Sequence, residues 1–148
     1  MSYHLKQVCD DEDWKHLHRI RREVLFTSKR HSTNYDENHA DDRLSDNKPF
    51  LLIYDGEAIG VARLDQRGTI GIIRLVAIVL GKQRQGHGRK LGELLESEAQ
   101  RAGIKILRVN AAEDATGFYI STSWHLADWD KSELAGIAQN AVQMEKRI

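Results

Sequence analysis

A loop with two glycines, lying between an apolar stretch and a helical pattern, has the residue types best suited to chemistry. In GKQRQGHGRKLGELL, residues 81–95, cationic and amide side chains surround Gly86 and Gly88. Backbone N–H groups at a helix N-terminus have no intrahelical acceptor, and the helix dipole adds positive potential there. Glycine lets an anion approach the backbone closely, and Arg84, Arg89 and Lys90 would reinforce an anion site. The pattern is suited to phosphate binding, although two glycines are equally consistent with a simple tight turn.

The two commonest nucleotide-binding motifs do not match this loop. The spacing of Gly81 and Gly86 fits the start of G-x-x-x-x-G-K-[ST], but His87 and Gly88 occupy the positions of the required Lys and Ser/Thr. The dinucleotide motif G-x-G-x-x-G fits Gly86 and Gly88 but has Leu91 at its third glycine. An ATP- or dinucleotide-binding protein is therefore the weakest interpretation.

Composition is that of a soluble globular protein. The 148 residues suit one domain, 1–148, and 41% are hydrophobic, 30% charged, with a formal net charge of zero. This balance gives no bulk attraction to nucleic acid or anionic membrane, and no apolar run reaches membrane-spanning length. Cys9 is the single cysteine, and the seven histidines lack metal-ligand spacing. We expect no nucleic-acid, membrane or metal partner and, without a signal-peptide pattern at the N-terminus, a cytoplasmic protein.

Hydrophobic periodicity predicts the elements that must position the loop. Predicted strands are Tyr3–Val8, Phe50–Tyr54, Ala58–Leu64, Thr69–Leu80, Ile104–Val109, His125–Trp129 and 140–148. Predicted helices run from Asp10 or Asp11 to Thr27, over Glu37–Leu44 within the polar segment Lys29–Lys48, from Gly88 to a cap at Gly103, and over Glu113–Thr122.

The order of these elements predicts an α/β fold with a mixed sheet. Asp55-Gly56 is a hairpin signal between two strands, which makes the first part of the sheet antiparallel. Nearly every residue of Thr69–Leu80 is apolar, so this strand is expected to be central, with Arg74 needing a partner. Strand, loop, helix and strand then follow over 69–109, and a right-handed crossover makes these two strands parallel neighbours. We expect about six to seven strands.

A third motif matches the glycine loop. Gln83-Arg84-Gln85-Gly86-His87-Gly88 resembles the Q/R-x-x-G-x-G/A signature of the GNAT superfamily of N-acetyltransferases. Residues 75–104 also resemble that family's central strand, loop and helix, and AAEDATGFYISTSW, 111–124, resembles its A-x-x-F-Y segment. Departures from the pattern are Arg84 in place of a common Gly, Leu80 in place of a common Pro, and Ser123-Trp124 in place of G-F.

The resemblance implies the GNAT acyl-CoA N-acyltransferase fold and a site for acetyl-CoA. The loop would bind the pyrophosphate, and the central strand would splay from its parallel neighbour so that its backbone pairs with the pantetheine arm. A backbone N–H, that of Ile78, would polarise the thioester carbonyl. The implied cofactor-binding residues are Val76, Ala77, Ile78, Gln83, Arg84, Gln85, Gly86, His87, Gly88 and Arg89. Asn110 would either bond the pantetheine amide or cap the following helix.

The resemblance also implies that Tyr119 protonates the departing thiolate, a role suited to general acid catalysis. The general base is open: Asp65, Glu113, His125 or a water relay. Four residues of the polar segment, Tyr35, Asp36, Glu37 and Asp41, would suit a cationic amine, but a solvated loop explains them as well.

These implications favour a cytoplasmic enzyme that moves the acetyl group of acetyl-CoA directly to a primary amine in a ternary complex. The alternative is a GNAT-fold module that retains acyl-CoA as a sensor or scaffold without turnover. The acceptor, a small molecule or a peptide amine, is open, and a homodimer is possible because dimers through terminal strands are common in similar proteins.

Overall fold

A seven-stranded mixed sheet organises the described part of the chain. The structure, a computed structural model, describes residues 2–27 and 35–148. The strands are β1 (Tyr3–Gln7), β2 (Asn47–Tyr54), β3 (Glu57–Arg67), β4 (Ile70–Ile78), β5 (Ile106–Ala111), β6 (His125–Leu126) and β7 (Val142–Arg147), in the spatial order β1-β2-β3-β4-β5-β7-β6. The β4–β5 pair is parallel and the others are antiparallel, which confirms the predicted mixed sheet.

Helices cover both faces of the sheet. They are α1 (Asp11–Val24), α2 (His87–Arg101) and the short α3 (Thr116–Ser121). The α1 face holds a core cluster that includes Leu17 and Ile20, and the α2 face holds a larger one that includes Leu91 and Leu95. Within the described ranges, no helix combines the length and the apolar character needed to cross a membrane.

The start of α1 shows how local polar groups fix a helix. Asp10 is the N-cap, and its carboxylate accepts the Asp13 N–H at 2.8 Å. Asp13 in turn accepts from Lys6 Nζ at 2.9 Å and from the Cys9 backbone N–H at 3.1 Å. Ligand-type atoms of Cys9, Asp10 and Asp13 lie within 4.8 Å of one another, but the two carboxylates serve as a cap and an ion-pair partner.

Several predicted helix boundaries were wrong. The first helix ends at Val24 with Leu25 as its C-cap, and does not reach Thr27. The helix predicted over Glu37–Leu44 is only a 3-10 turn, Ala40–Arg43. This turn lies in the polar segment Lys29–Lys48, and residues 29–34 of that segment lie outside the described ranges.

The predicted strands also differ in their ends. The central strand stops at Ile78, and Leu80 begins a 3-10 turn, Leu80–Lys82, with 64% of its surface exposed. The strand predicted at Ile104–Val109 lies two residues later, and the one predicted at His125–Trp129 has only two residues. Periodicity located these strands but not the points where their ladders end, because the ends depend on pairing partners that are distant in sequence.

Candidate active site

The parallel β4–β5 ladder opens part of the way along its length. It pairs Ile70–Ile73 with Ile106–Val109 and stops there, although β4 continues to Ile78 and β5 to Ala111. The predicted splay of the central strand is therefore present. We call the paired stretch the closed half of the β4–β5 pair, and the stretch beyond Ile73 and Val109 the open half.

A bulge in β4 lies at the start of the open half. Leu75 has φ of 54°, and the β3–β4 register passes from Val61↔Ala77 to Arg63↔Arg74, so β4 carries one extra residue here. The extra residue shifts the in-and-out alternation by one position. As a result Val76 packs on the α2 face, and Ala77 packs on the α1 face.

The alternation of β4 after the bulge directs the Ile78 N–H into the gap. Successive backbone N–H groups of a strand point to opposite sides. Val79 donates its N–H to the Ile59 carbonyl on the β3 side at 2.8 Å, so the Ile78 N–H faces the opposite side, where β5 has diverged. The Ile78 carbonyl likewise accepts from Gln83 Nε2 at 2.9 Å. Ala77 instead pairs with Val61 of β3, which leaves its predicted pairing with pantetheine untested.

Backbone amides are available at the start of α2. Gly86 is the N-cap, with φ of 89° and no side-chain cap. This left-handed conformation is the reason that glycine is needed at this position. The Lys90 N–H donates to the Gly86 carbonyl at 3.2 Å, whereas the N–H groups of His87, Gly88 and Arg89 have no acceptor among the described residues. The helix thus offers three amides and its positive dipole end to an anion.

Two glutamines hold the preceding loop in shape. The Gln83 amide is bonded to the end of β4, and Gln85 Nε2 donates to the Gly81 carbonyl at 3.2 Å. Arg84 lies between them with φ of 62° and an exposed side chain. The two amides therefore brace the loop, and the guanidinium is the group left in solvent for an anion.

The imidazole of His87 has a role that the sequence did not reveal. It is 5% exposed, its Nδ1 lies 2.7 Å from the Tyr3 hydroxyl, and its ring centroid is 4.7 Å from that of Tyr54. The side chain thus anchors the first turn of α2 to β1 and β2. Its partners are far away in the sequence, so no local pattern indicated them.

A cavity of about 240 Å³ connects the open half of β4 with the α2 N-terminus and α3. It brings together four predicted site residues, Val76, Gly88, Arg89 and Tyr119. Its other lining residues include Ile73, Leu91, Leu95, Leu107, Phe118 and Trp124. The cavity is therefore apolar where β4 and β5 line it, with Glu93, Glu96 and Lys146 elsewhere in its lining and the first turn of α2 at its rim.

Tyr119 lies at the wall of this cavity in its protonated form. Its ring packs edge-on against Phe118 and Trp124, with centroids 5.3 and 5.4 Å away. Burial raises the pKa of Tyr119 to about 12, even though part of the side chain remains accessible. The hydroxyl forms no hydrogen bond with any other described residue, so it is available to donate to a bound molecule.

The opposite, α1 face of the sheet carries a chain of alternating charges. Arg21 pairs with Asp42 at 2.8 and 3.1 Å, and Asp42 accepts from Arg63 at 3.0 Å. Arg63 pairs with Asp65 at 2.7 and 2.9 Å, and Asp65 accepts from Arg74 Nε at 2.8 Å. Asp65 is 1% exposed and holds two guanidinium groups, so it is a structural residue and cannot serve as a base for an acceptor.

The charge chain ends on Glu133, a residue that the sequence analysis did not consider. Arg74 donates to both Glu133 oxygens, at 2.7 and 3.1 Å, and Asn110 Nδ2 donates at 3.3 Å. The hydrogen bond from Arg74 lowers the pKa of Glu133. Asn110 lies inside β5 and also accepts from Gln143 at 3.0 Å, so the helix-capping alternative was wrong. The signal available in the sequence was Arg74 itself, because a charged residue in an otherwise apolar strand needs a partner from another part of the chain.

The remaining predicted candidates lie away from the cavity. Glu113 and His125 are exposed. In the polar segment, the Tyr35 hydroxyl lies 2.5 Å from His18 Nδ1, and Glu37 pairs with Arg22 of α1. None of the four residues predicted in this segment lines the cavity. The suggestion that the segment binds a cationic amine stays a prediction.

The chain resembles known acetyltransferases in sequence pattern and in fold. A family model described as an acetyltransferase (GNAT) domain matches residues 20–148. A search of curated proteins gave no match. Among solved structures, an acyl-CoA N-acyltransferase from Pseudomonas aeruginosa superposes with a TM-score of 0.76 at 16% identity, covering 98% of both chains.

Two further solved structures share the fold. The ribosomal-protein-S18-alanine N-acetyltransferase from Escherichia coli gives a TM-score of 0.74 at 18% identity, covering 99% of this chain and 94% of the other. The PaiA N-acetyltransferase from Thermoplasma acidophilum, in complex with coenzyme A, gives 0.72 at 16% identity and covers all of both chains. At these identities the likeness is one of fold.

Proposed function

The chain belongs to the GNAT acetyltransferase family, and we propose that it moves the acetyl group of acetyl-CoA directly to a primary amine. One observation carries this proposal. The open half of β4, the uncapped amides of α2 and the protonated Tyr119 border the same cavity. That arrangement suits a thioester with an anionic tail.

The donor site follows from the charges around the cavity. The pyrophosphate is held by the N–H groups of His87, Gly88 and Arg89, with Arg84 adding a cation. The pantetheine arm then runs along the open edge of β4, where backbone groups no longer pair with β5. Binding both substrates at once replaces a bimolecular encounter with a reaction between positioned groups.

The transfer step assigns three tasks. The amine nitrogen attacks the thioester carbonyl, and its proton leaves to water. The Ile78 N–H donates to the oxyanion of the tetrahedral intermediate. Collapse of the intermediate breaks the C–S bond, and Tyr119 protonates the departing sulfur, which gives the amide and free CoA.

Thiol release tests the proposal. The full chain is incubated with acetyl-CoA and a panel of small amines, amino acids and N-terminal peptides, and free CoA is measured with a thiol reagent. Turnover with at least one amine, together with acetylation of that amine by mass spectrometry, is the expected result. Thermal stabilisation by CoA without thiol release on the whole panel would contradict transfer and favour a binding module. Stabilisation by ATP or NAD but not by acetyl-CoA would contradict both.

A further inference from the structure

Glu133 bridges the two strands at the point where they separate. Arg74 and Asn110 are the first residues of β4 and β5 beyond the last paired residues, Ile73 and Val109. Glu133 accepts hydrogen bonds from both. The bridge lies on the α1 face, because Arg74 also bonds Asp65 there, whereas the cavity lies on the α2 face.

The Glu133 carboxylate is accessible and has spare hydrogen-bonding capacity. Its side chain is 24% exposed, whereas that of Asp65 is 2% exposed. Three N–H groups occupy three of the roughly four acceptor positions of the carboxylate. Since Arg74 lowers the pKa of Glu133, the group stays ionised at neutral pH and accepts hydrogen bonds instead of holding a proton.

We propose that Glu133 binds the ammonium group of the acceptor and that the acceptor is therefore a cationic primary amine. The bound ammonium loses one proton to water before its nitrogen attacks, and the second proton leaves to water as the amide forms. The inference rests on the proposed function, because it takes the α2 face to be filled by the donor. An acceptor then reaches the thioester from the α1 face, through the open half of the β4–β5 pair. The carboxylate at that opening attracts an ammonium ion, and Arg74 and Asn110 fix its orientation.

The closed half of the same strand pair supplies a matched control. Arg108 and Glu145 form an ion pair at 2.9 Å, with side-chain exposures of 26% and 22%, close to the 24% of both Arg74 and Glu133. Arg108 is paired with Ile72 in the parallel ladder and with Glu145 in the antiparallel one. The pair thus has the same chemistry and exposure as Arg74–Glu133 but covers a closed ladder.

The experiment compares Glu133→Gln with Glu145→Gln in steady-state kinetics. The nucleophiles are the best alkylamine of the panel and its alkoxyamine analogue, for example propylamine and O-ethylhydroxylamine. These have the same shape, but at neutral pH the alkylamine is an ammonium ion and the alkoxyamine is uncharged. We expect Glu133→Gln to raise KM for the alkylamine about tenfold and to leave KM for the alkoxyamine within about twofold, since the neutral amide oxygen of Gln lacks the negative charge that strengthens the hydrogen bond from an ammonium ion.

The remaining readouts separate binding from a structural role. The dissociation constant of CoA should stay close to wild type, the melting temperature of Glu133→Gln should fall by no more than about 4 °C, and Glu145→Gln should change neither KM. The inference would be overturned if Glu133→Gln changed KM equally for both nucleophiles, or if it changed neither. It would also be overturned if the wild-type protein preferred amines that carry a carboxylate and Glu133→Gln did not alter that preference. Absence of turnover by the wild-type protein would instead overturn the proposed function on which it rests.

Discussion

The closed and open halves of the β4–β5 pair differ although they belong to the same two strands. In the closed half the packing is tight: a Cβ placed on Gly71 would lie 2.9 Å from Ile104 Cδ1 and 3.1 Å from Leu107. In the open half Leu75 forms a bulge in β4 and Val76 lines the cavity, which Ile73 and Leu107 of the closed half also line. The stretch of β4 that carries the extra residue is thus also the stretch that has no ladder with β5.

The backbone conformation of the bulge is costly in itself. A non-glycine residue in the left-handed region, such as Leu75 at φ of 54°, loses about 1–2 kcal/mol. Such strain persists only where the surroundings determine the conformation, and it is found preferentially at functional sites. The closed half, with its complete ladder and buried apolar side chains, supplies those surroundings.

Removing the charge of Asp65 should have the largest effect, because this carboxylate holds Arg74 at the boundary of the two halves. In Asp65→Asn, Arg63 and Arg74 lose their shared ionic partner in a buried site. We expect a loss of about 3 kcal/mol in the free energy of unfolding, measured by denaturant titration. The exposed Asp128→Asn is the control, and a loss as small as that of the control would show that the boundary does not depend on the ion pair.

Removing the Tyr119 hydroxyl should slow the reaction assigned to the open half without disturbing the packing of the closed half. We expect Tyr119→Phe to lower kcat about a hundredfold, because the leaving thiolate loses its proton donor. The dissociation constant of CoA, measured by calorimetry, should stay within about twofold. Tyr3→Phe, which removes a hydroxyl that only supports His87, serves as the control. A kcat equal to wild type in Tyr119→Phe would remove this tyrosine from the mechanism.

Adding a methyl group to Gly71 probes the packing of the closed half. Gly71→Ala forces contacts of 2.9–3.1 Å with side chains of the core, so we expect a loss of about 2 kcal/mol in unfolding free energy. At Gly88, on the cavity side, the same methyl group would lie 3.7 Å from Phe118, an ordinary contact. If Gly88→Ala destabilised the protein as much as Gly71→Ala, the contrast in packing would be wrong.

A larger side chain at Gly88 should weaken donor binding while sparing the fold. Gly88→Val extends from the first turn of α2 into the place assigned to the pyrophosphate. We expect the dissociation constant of CoA to rise about tenfold, which is about 1.4 kcal/mol. Dephospho-CoA, which keeps the pyrophosphate, should show the same ratio of variant to wild type. Unchanged affinity for both ligands would place the pyrophosphate elsewhere.

The smallest expected effect is a loss, at acid pH, of the stability that the Arg74–Glu133 ion pair contributes. Because Arg74 lowers the pKa of Glu133 in the folded state, the pair stabilises the fold above the ordinary glutamate pKa of 4.5, and this stabilisation is lost as the pH falls below it. The partly exposed pair contributes less than about 1 kcal/mol. Unfolding free energies of wild type and Glu133→Gln should therefore differ at neutral pH and converge in acid. A difference that stayed constant with pH would contradict the ion pair.

Local features of the site could be predicted because neighbouring residues produce them. The strand, loop and helix around Gly86 follow from periodicity and from the amides that any helix start exposes. Tyr119 and the loop were located by their resemblance to family motifs. The capping role suggested for Asn110 was wrong, because the strand that contains it extends further than its apolar pattern indicated.

The order of the elements, the mixed sheet and the position of the glycine loop could be predicted from the sequence, since they follow from periodicity and turn residues, which are local patterns. Long-range packing sets the contact of Tyr3 with His87, the opening of the ladder after Ile73, and the position of Glu133 across the gap. Glu133 is 59 residues from Arg74 in the chain. Charges that meet across such a distance leave no periodic pattern, because their pairing is set by how the sheet and its connections pack.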